Sequence, residues 1–324
     1  MRKSIEQATS KHRTSPPWKL DEPWKQTPYQ YSKDARSWKA EGSNDDQALN
    51  CPTTLALHSW NIDFMLPYAD SRMKLGLRHL QSMLNPLMNN TASVIYLQEC
   101  LESDVKVVAT NAWVQEHFAL SDIDTSNWQN GHYGTMTLID RRLPIKTCFR
   151  VHYSQTRMER DGLFVDVVLD KKPIRLCNSH LESLALEPPY RPAQIKMIAE
   201  YMKDYTVYGA AVAGDSNAIQ DFDKTLHLEN DLKDAYLELG GHEEDAAGGH
   251  TWGQQAATAL REKFGTSRMD KVFFCGGLQC LRFERFGADV ELEDESERRD
   301  IMSLGFDQPW ITDHLGVVAV FKLE

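Results

Sequence analysis

From Leu55 onward the chain alternates short apolar, β-branched runs with segments of helical spacing. The runs LALHSWNI, SVIYLQE, YGTMTLID, KTCFRVHY, LFVDVVLD, IRLCNSH, GAAVAGD, MDKVFF, LRFERF and GVVAVF predict about ten strands. Between the first two, Met73, Leu77, Leu80, Leu84 and Leu87 recur at helical spacing. They predict an amphipathic helix over 70–88, capped by Asp70 or Ser71 and ended by the Asn-rich MNN. A second stripe, Ile195, Ile198 and Met202, predicts a helix over 191–203. Two sheets with outer helices account for this inventory. The glycine-rich, acidic stretch 240–250 and the charge run 291–300 read as solvated loops.

Residues 1–50 follow another pattern, charged, with four prolines and few aliphatics. They predict a disordered or loosely docked tail ahead of a domain spanning 51–324, with Trp18, Trp24 and Trp38 as the aromatics available for docking. MRKSIEQATSKHRTSPP has a charged start without a following apolar region, so a signal peptide is not expected, and no apolar stretch approaches the roughly 20 residues that span a bilayer. A nuclear or cytoplasmic monomer without a membrane contact is the expectation.

Composition narrows the partners. With 36 Lys+Arg against 47 Asp+Glu in 324 residues the net charge is −11. A chain that coats long nucleic acid carries a basic face, so any nucleic-acid contact here should be short and local, such as a chain end. The six cysteines (51, 100, 148, 177, 275 and 280) lack zinc-site spacing and read as packed thiols; Cys275 and Cys280, flanking Gly-Gly, leave a disulfide as the alternative.

The chemistry sits where strands end. Asn61 and Asp63 follow LALHSW, Glu99 follows VIYLQ, His180 follows RLCNS, Asp215 and Asn217 follow AAVAG, and Asp313–His314 precedes LGVVAV. Singly, each has a structural reading: Glu99 as a helix cap, Asn61 in a turn, His180 as a hydrogen-bonded core histidine. Together they gather carboxylates at one rim, where mutual repulsion and desolvation are costly unless a divalent cation is bound. Oxygen donors (Glu99, Asn61, Asp313) with no cysteine among them suit a hard ion, Mg²⁺ or Mn²⁺, and hard ions in hydrolases point to phosphate substrates. The histidines then become donors to phosphate oxygens, and Asp215 can orient and deprotonate a water.

SWNID (59–63), LQE (97–99), SHLES (179–183), GDSN (214–217), RMDKVFF (268–274) and TDH (312–314) stand in the order found in the endonuclease/exonuclease/phosphatase superfamily, which the chain resembles from about residue 55 to 321. The resemblance implies a DNase I-like fold: an α/β four-layer sandwich of two packed, mostly antiparallel sheets with outer helices. Within the superfamily the motifs are most similar to those of the tyrosyl-DNA phosphodiesterase branch, with TW (251–252) between GDSN and RMD. Phe64 departs from that pattern, standing where a glycine commonly follows the first motif.

By this resemblance Glu99 and Asn61 hold the metal, with Asp313 supporting its water shell. Asp215 positions the water, and Asn217 holds that water or the phosphorane. His180, Ser183 and His314 donate to the scissile phosphate, and Asp270 orients His314. Trp252 lines the groove, with a core tryptophan as the alternative, and Arg160 is a phosphate contact or a surface residue. The implied activity is Mg²⁺-dependent hydrolysis of a 5′-phosphotyrosyl bond between DNA and a peptide adduct. Other hydrolases of the superfamily, and a non-catalytic binding relative, are the alternatives. VAGDSNAIQ lacks the Trp and Arg that the inositol polyphosphate phosphatases carry there, and the acidic charge disfavours an enzyme gripping continuous duplex.

Overall fold

All ten strands expected from the alternating runs form in the computed structural model, which describes residues 15–40, 52–84 and 90–324. One sheet orders its strands β1 (Pro23–Lys25), β8 (Ile145–His152), β9 (Asp161–Leu169), β10 (Lys172–Ser179), β11 (Gly209–Asp215), β13 (Asp270–Gly276) and β12 (Lys233–Asp234). The other runs β14 (Leu278–Phe286), β15 (Gly316–Leu323), β4 (Thr54–Asn61), β5 (Thr91–Leu101), β7 (Tyr133–Asp140), β6 (Phe118–Leu120), β2 (Tyr29–Ser32) and β3 (Ser37–Ala40). Pairing is antiparallel except for β4–β5 and β10–β11, one parallel pair per sheet.

Three apolar layers hold the sheets. Leu55, Leu57, Val94 and Tyr96 face Val165, Leu176, Ala211 and Val272 between the sheets. Because side chains alternate along a strand, Ala56 and Trp60 point the other way, onto the helix Ala69–Leu84, whose Met73, Leu77 and Leu80 match the expected stripe. The helix Arg191–Met202 covers the outer face of the first sheet through Ile195, Ile198 and Met202. Helix, sheet, sheet, helix is the four-layer α/β sandwich. Among the described residues no helix is long and apolar enough to cross a membrane.

Within the expected tail, residues 15–40 add β1 to one sheet and the β2–β3 hairpin to the other; 1–14 and 41–50 lie outside the described residues. Trp18 stacks on His152 with ring centroids 4.0 Å apart, and its Nε1 donates to Gln129 at 3.1 Å. Trp24 and Trp38 donate to Asn127 Oδ1 and to the Ala109 carbonyl. Cys100, Cys148, Cys177, Cys275 and Cys280 are free thiols; Cys51 lies outside the described residues.

The charge run 291–300 is not a loop throughout: Glu295–Ser303 forms a helix. Asp294 caps it by accepting from the Ser296 and Glu297 amides, and Ile301 buries one face, so a single apolar anchor and a cap suffice where composition suggested solvation. Stretch 240–250 is a loop, yet not a free one. Glu243 accepts from buried Lys271 at 2.8 Å and from Arg268, and Arg285 donates to the Ala247 and His250 carbonyls.

Candidate active site

Both parallel pairs end at the same rim, which is why residues far apart in the chain meet there. Asn61 closes β4, Asp215 closes β11, and His180 directly follows β10. Asp270 opens β13 directly opposite Asp215, and His314 lies two residues before β15, whose antiparallel course brings its start to that end. Glu99 is turned out of β5 by an irregularity between Leu97 and Cys100, with its own φ at 58°. Gly214 lets β11 close against β10: a Cβ there would fall 1.7 Å from the Ser179 carbonyl oxygen. Beneath the rim, Gln98 Nε2 donates to Asn178 Oδ1 at 2.8 Å and to Ser59 Oγ at 3.0 Å, tying the sheets together.

Asp215 is the centre. Its Oδ2 accepts from Asn61 Nδ2 at 3.0 Å and lies 3.3 Å from His180 Nε2 and 3.8 Å from His314 Nε2; its Oδ1 accepts from the Asn217 amide at 2.8 Å. Burial alone would raise this carboxyl, but the His314 charge, the His180 ring and the Asn217 amide hold it well below the usual carboxylate range. His314 Nδ1 pairs with Asp270 Oδ2 at 2.8 Å. Although burial opposes a charge on this ring, Asp270, Asp215 and Asp313 raise its pKa well above that of an ordinary histidine. His180 goes the other way, lowered by burial and by Arg160. The two imidazoles beside Asp215 are thus shifted in opposite directions by what lies behind them.

A second group of carboxylates lies on the Glu99 side. Glu99 Oε2 accepts from the Phe64 amide at 3.0 Å, and its Oε1 lies 3.8 Å from His180 Nε2. Asn61 Oδ1 accepts from the Asp63 amide at 2.9 Å, so this side chain organises the turn as well as Asp215. Asp313 Oδ2 accepts from Trp252 Nε1 at 2.7 Å, which gives Trp252 a polar tether at the rim besides its ring. Burial and the neighbouring Asp313 push Asp63 up to about 7, and burial raises Asp313 as well. Carboxylates crowd one another here, Asp270 Oδ1 has no hydrogen-bond partner among the described residues, and ligand atoms of Glu99, His180 and Asp215 lie within 4.8 Å of one another. An oxygen-rich, thiol-free donor set of this kind fits a hard divalent ion.

Sequence reasoning missed two supports. Arg72, fully buried in the helix Ala69–Leu84, donates to the carbonyls of Ile62, Asp63, Leu66, Pro67 and Ile311, stapling the Asp63 turn to the strand-end segment that carries Asp313. Its place inside a helical pattern carried no signal of this. Phe64 stacks on Tyr133 with centroids 4.1 Å apart, and the Arg160 guanidinium lies 5.3 Å from the Tyr133 centroid, an aromatic wall beside Glu99 that the unusual Phe64 foreshadowed. Arg160 is buried rather than on the surface, its Nη1 2.8 Å from His180 Nδ1. Asn217 Nδ2 donates to the Leu181 carbonyl at 3.0 Å. Ser183 is half-buried in the next loop, outside this network; its neighbour Glu182 is the buried group, accepting from Thr156 Oγ1 and the Arg157 amide.

Residues 58–314 match the model of the Endonuclease/Exonuclease/phosphatase family. The chain belongs to that family. Among its relatives, tyrosyl-DNA phosphodiesterase 2 of Rattus norvegicus is 26% identical over 237 residues, covering 72% of this chain and 60% of the relative. The Homo sapiens protein of that name is 25% identical over 245 residues, covering 74% of this chain and 63% of the relative. The chain thus spans about three fifths of the length of the curated relatives it matches. Among solved structures, D. rerio TDP2 complexed with single-strand DNA product superposes with a TM-score of 0.62 at 19% identity, covering 83% of this chain and 99% of that one. The Bacteroides thetaiotaomicron mannosyl-6-phosphatase Bt3783 gives 0.57 at 14% identity, covering 82% and 99%. These superpositions establish the DNase I-like fold of the family.

Proposed function

We propose that this family member is a Mg²⁺-dependent phosphodiesterase that hydrolyses the 5′-phosphotyrosyl bond between DNA and a peptide adduct, leaving a 5′-phosphate end. The observation that carries the reading is Asp215: buried, its Oδ2 fixed by Asn61 at 3.0 Å and facing the imidazoles of His180 and His314 at 3.3 and 3.8 Å. A carboxylate in that setting orients a water and accepts its proton as the water attacks phosphorus in line with the leaving oxygen. Asn61 fixes the Asp215 side chain, and the Asn217 amide holds its second oxygen, so the base turns little during the step. His180 and His314 present N–H groups to the non-bridging phosphate oxygens, where negative charge accumulates. Asp270 keeps the His314 ring oriented and charged.

Glu99, with Asn61 and Asp313 around it, would hold a Mg²⁺ or Mn²⁺ ion, which when bound neutralises phosphate charge. Tyrosine, with a pKa near 10, leaves as phenolate without a strong general acid. Trp252 and the Phe64–Tyr133 wall offer ring faces for a terminal base or the adduct, and stacking suits a chain whose acidity disfavours a long duplex grip. The similarity to tyrosyl-DNA phosphodiesterase 2 in sequence supports this substrate over others. Residues 51–324, together with the strands that residues 15–40 add to both sheets, constitute the catalytic unit, acting as a monomer in the nucleus or cytoplasm.

The test is single-turnover cleavage of a 5′-tyrosyl oligonucleotide beside abasic-duplex, poly(A) and inositol-phosphate substrates, with and without Mg²⁺. Metal-dependent release of a 5′-phosphate from the tyrosyl substrate alone is expected. Preference for another substrate would move the function within the family, and inactivity on all would favour a binding role.

A further inference from the structure

Arg160 is buried beside His180 and has no carboxylate paired to it among the described residues. Its Nη1 lies 2.8 Å from His180 Nδ1, its Nη2 donates to the Met158 sulfur at 3.5 Å, and its guanidinium rests over the Tyr133 ring. Sulfur and an aromatic face hold the cation in place without neutralising it. A guanidinium has only N–H donors and keeps its proton in proteins. His180 Nδ1 is therefore the acceptor and carries no hydrogen. The proton of the neutral ring is left on Nε2, which faces Asp215 Oδ2 at 3.3 Å and Glu99 Oε1 at 3.8 Å.

We infer that Arg160 is a positioning residue that fixes His180 as the neutral Nε2–H tautomer. The ring then enters the reaction only as a hydrogen-bond donor, neither as a base nor as a metal ligand. Its Nε2 lone pair is used by the proton and its Nδ1 lone pair by Arg160, so of the Glu99–His180–Asp215 group only the carboxylates are open to a cation. His314 is set by the opposite device, a carboxylate at Nδ1. A cation behind one ring and an anion behind the other give the two imidazoles beside Asp215 different protonation. The catalytic meaning of this arrangement rests on the phosphodiesterase reading; the tautomer itself is a property of the free protein.

The test is a two-bond ¹H–¹⁵N correlation spectrum of the full chain labelled with [¹⁵N]histidine, with and without Mg²⁺, the His180 signal being assigned by its loss in H180Q. The expected pattern is a bare Nδ1 and a protonated Nε2 in the parent protein, retained in R160K and replaced by a mixture of tautomers in R160M. A protonated Nδ1 in the parent protein, or an R160M spectrum identical to it, would overturn the inference; should R160M not fold, the parent and R160K spectra decide. On any phosphodiester that the chain turns over, R160M should lower kcat by about 10- to 100-fold, with R160K recovering most of it. A loss confined to KM would place Arg160 on the substrate instead and overturn the positioning role. Failure of the phosphodiesterase reading would appear separately, as a parent protein with the expected tautomer and no turnover.

Discussion

Asp270 Oδ2 accepts from His314 Nδ1 at 2.8 Å, while the other nitrogen of that ring lies 3.8 Å from Asp215 Oδ2, so one buried carboxylate orients and charges the ring that faces the other. Replacing Asp270 by Asn keeps the shape and removes the charge that sustains the imidazolium. D270N should lower kcat by about 100-fold or more with KM within a few-fold of the parent value. Single-turnover kinetics on the tyrosyl oligonucleotide check this, and a loss under tenfold would take Asp270 out of the role.

Glu99 and Asp215 should separate cleanly. Glu99 presents Oε1 toward the rim, and E99Q should shift the Mg²⁺ titration of activity to at least about tenfold higher concentration. D215N should instead leave that midpoint within a few-fold while lowering turnover by about 10³-fold, because the base is lost. Measuring activity against Mg²⁺ for both variants distinguishes them; exchanged phenotypes would reverse the assignment.

Arg72 serves five carbonyl groups from a fully buried position. R72M leaves them without donors and should destabilise the fold by about 3 kcal/mol or more in urea unfolding, and R72K, with fewer donors and no fork, should recover less than half. Weakened Mg²⁺ dependence in whatever R72M remains folded is also expected, since the Asp63 turn loses its staple.

His58 gives a pH dependence separate from the site. It is buried in the second sheet against Phe286, and burial lowers its pKa from 6.5 to about 4. Above pH 6.5 the ring is neutral folded and unfolded, and contributes no pH dependence. As pH falls below 6.5 the unfolded chain takes up a proton that the folded chain refuses, so stability is lost, by about 3 kcal/mol in all once pH reaches about 4. The stability difference between H58L and the parent, from urea curves at pH 7 and pH 4, should change by that amount in favour of H58L. A difference independent of pH would show that His58 charges in place.

What the sequence determined by itself was whatever depends on near neighbours. The ten long strands and two amphipathic helices follow from side-chain period, and Asn61, Glu99, His180, Asp215 and His314 stand out because polar groups interrupt apolar runs at their ends. The tertiary structure decided everything that needed partners distant in the chain. The ends of β4 and β11 are 154 residues apart at Asn61 and Asp215, yet the packing of the two sheets makes them hydrogen-bond. Arg160 became the partner of His180, Trp252 of Asp313, and Arg72 of the Asp63 turn, none with a periodic signal. The helix Glu295–Ser303 formed from a run whose charge alone suggested a loop, because one buried isoleucine and one capping aspartate outweigh a charged surface. A charge reads the same in sequence whether it ends up solvated or buried; topology chooses its neighbours, and those neighbours set its protonation, its hydrogen bonds and its chemistry.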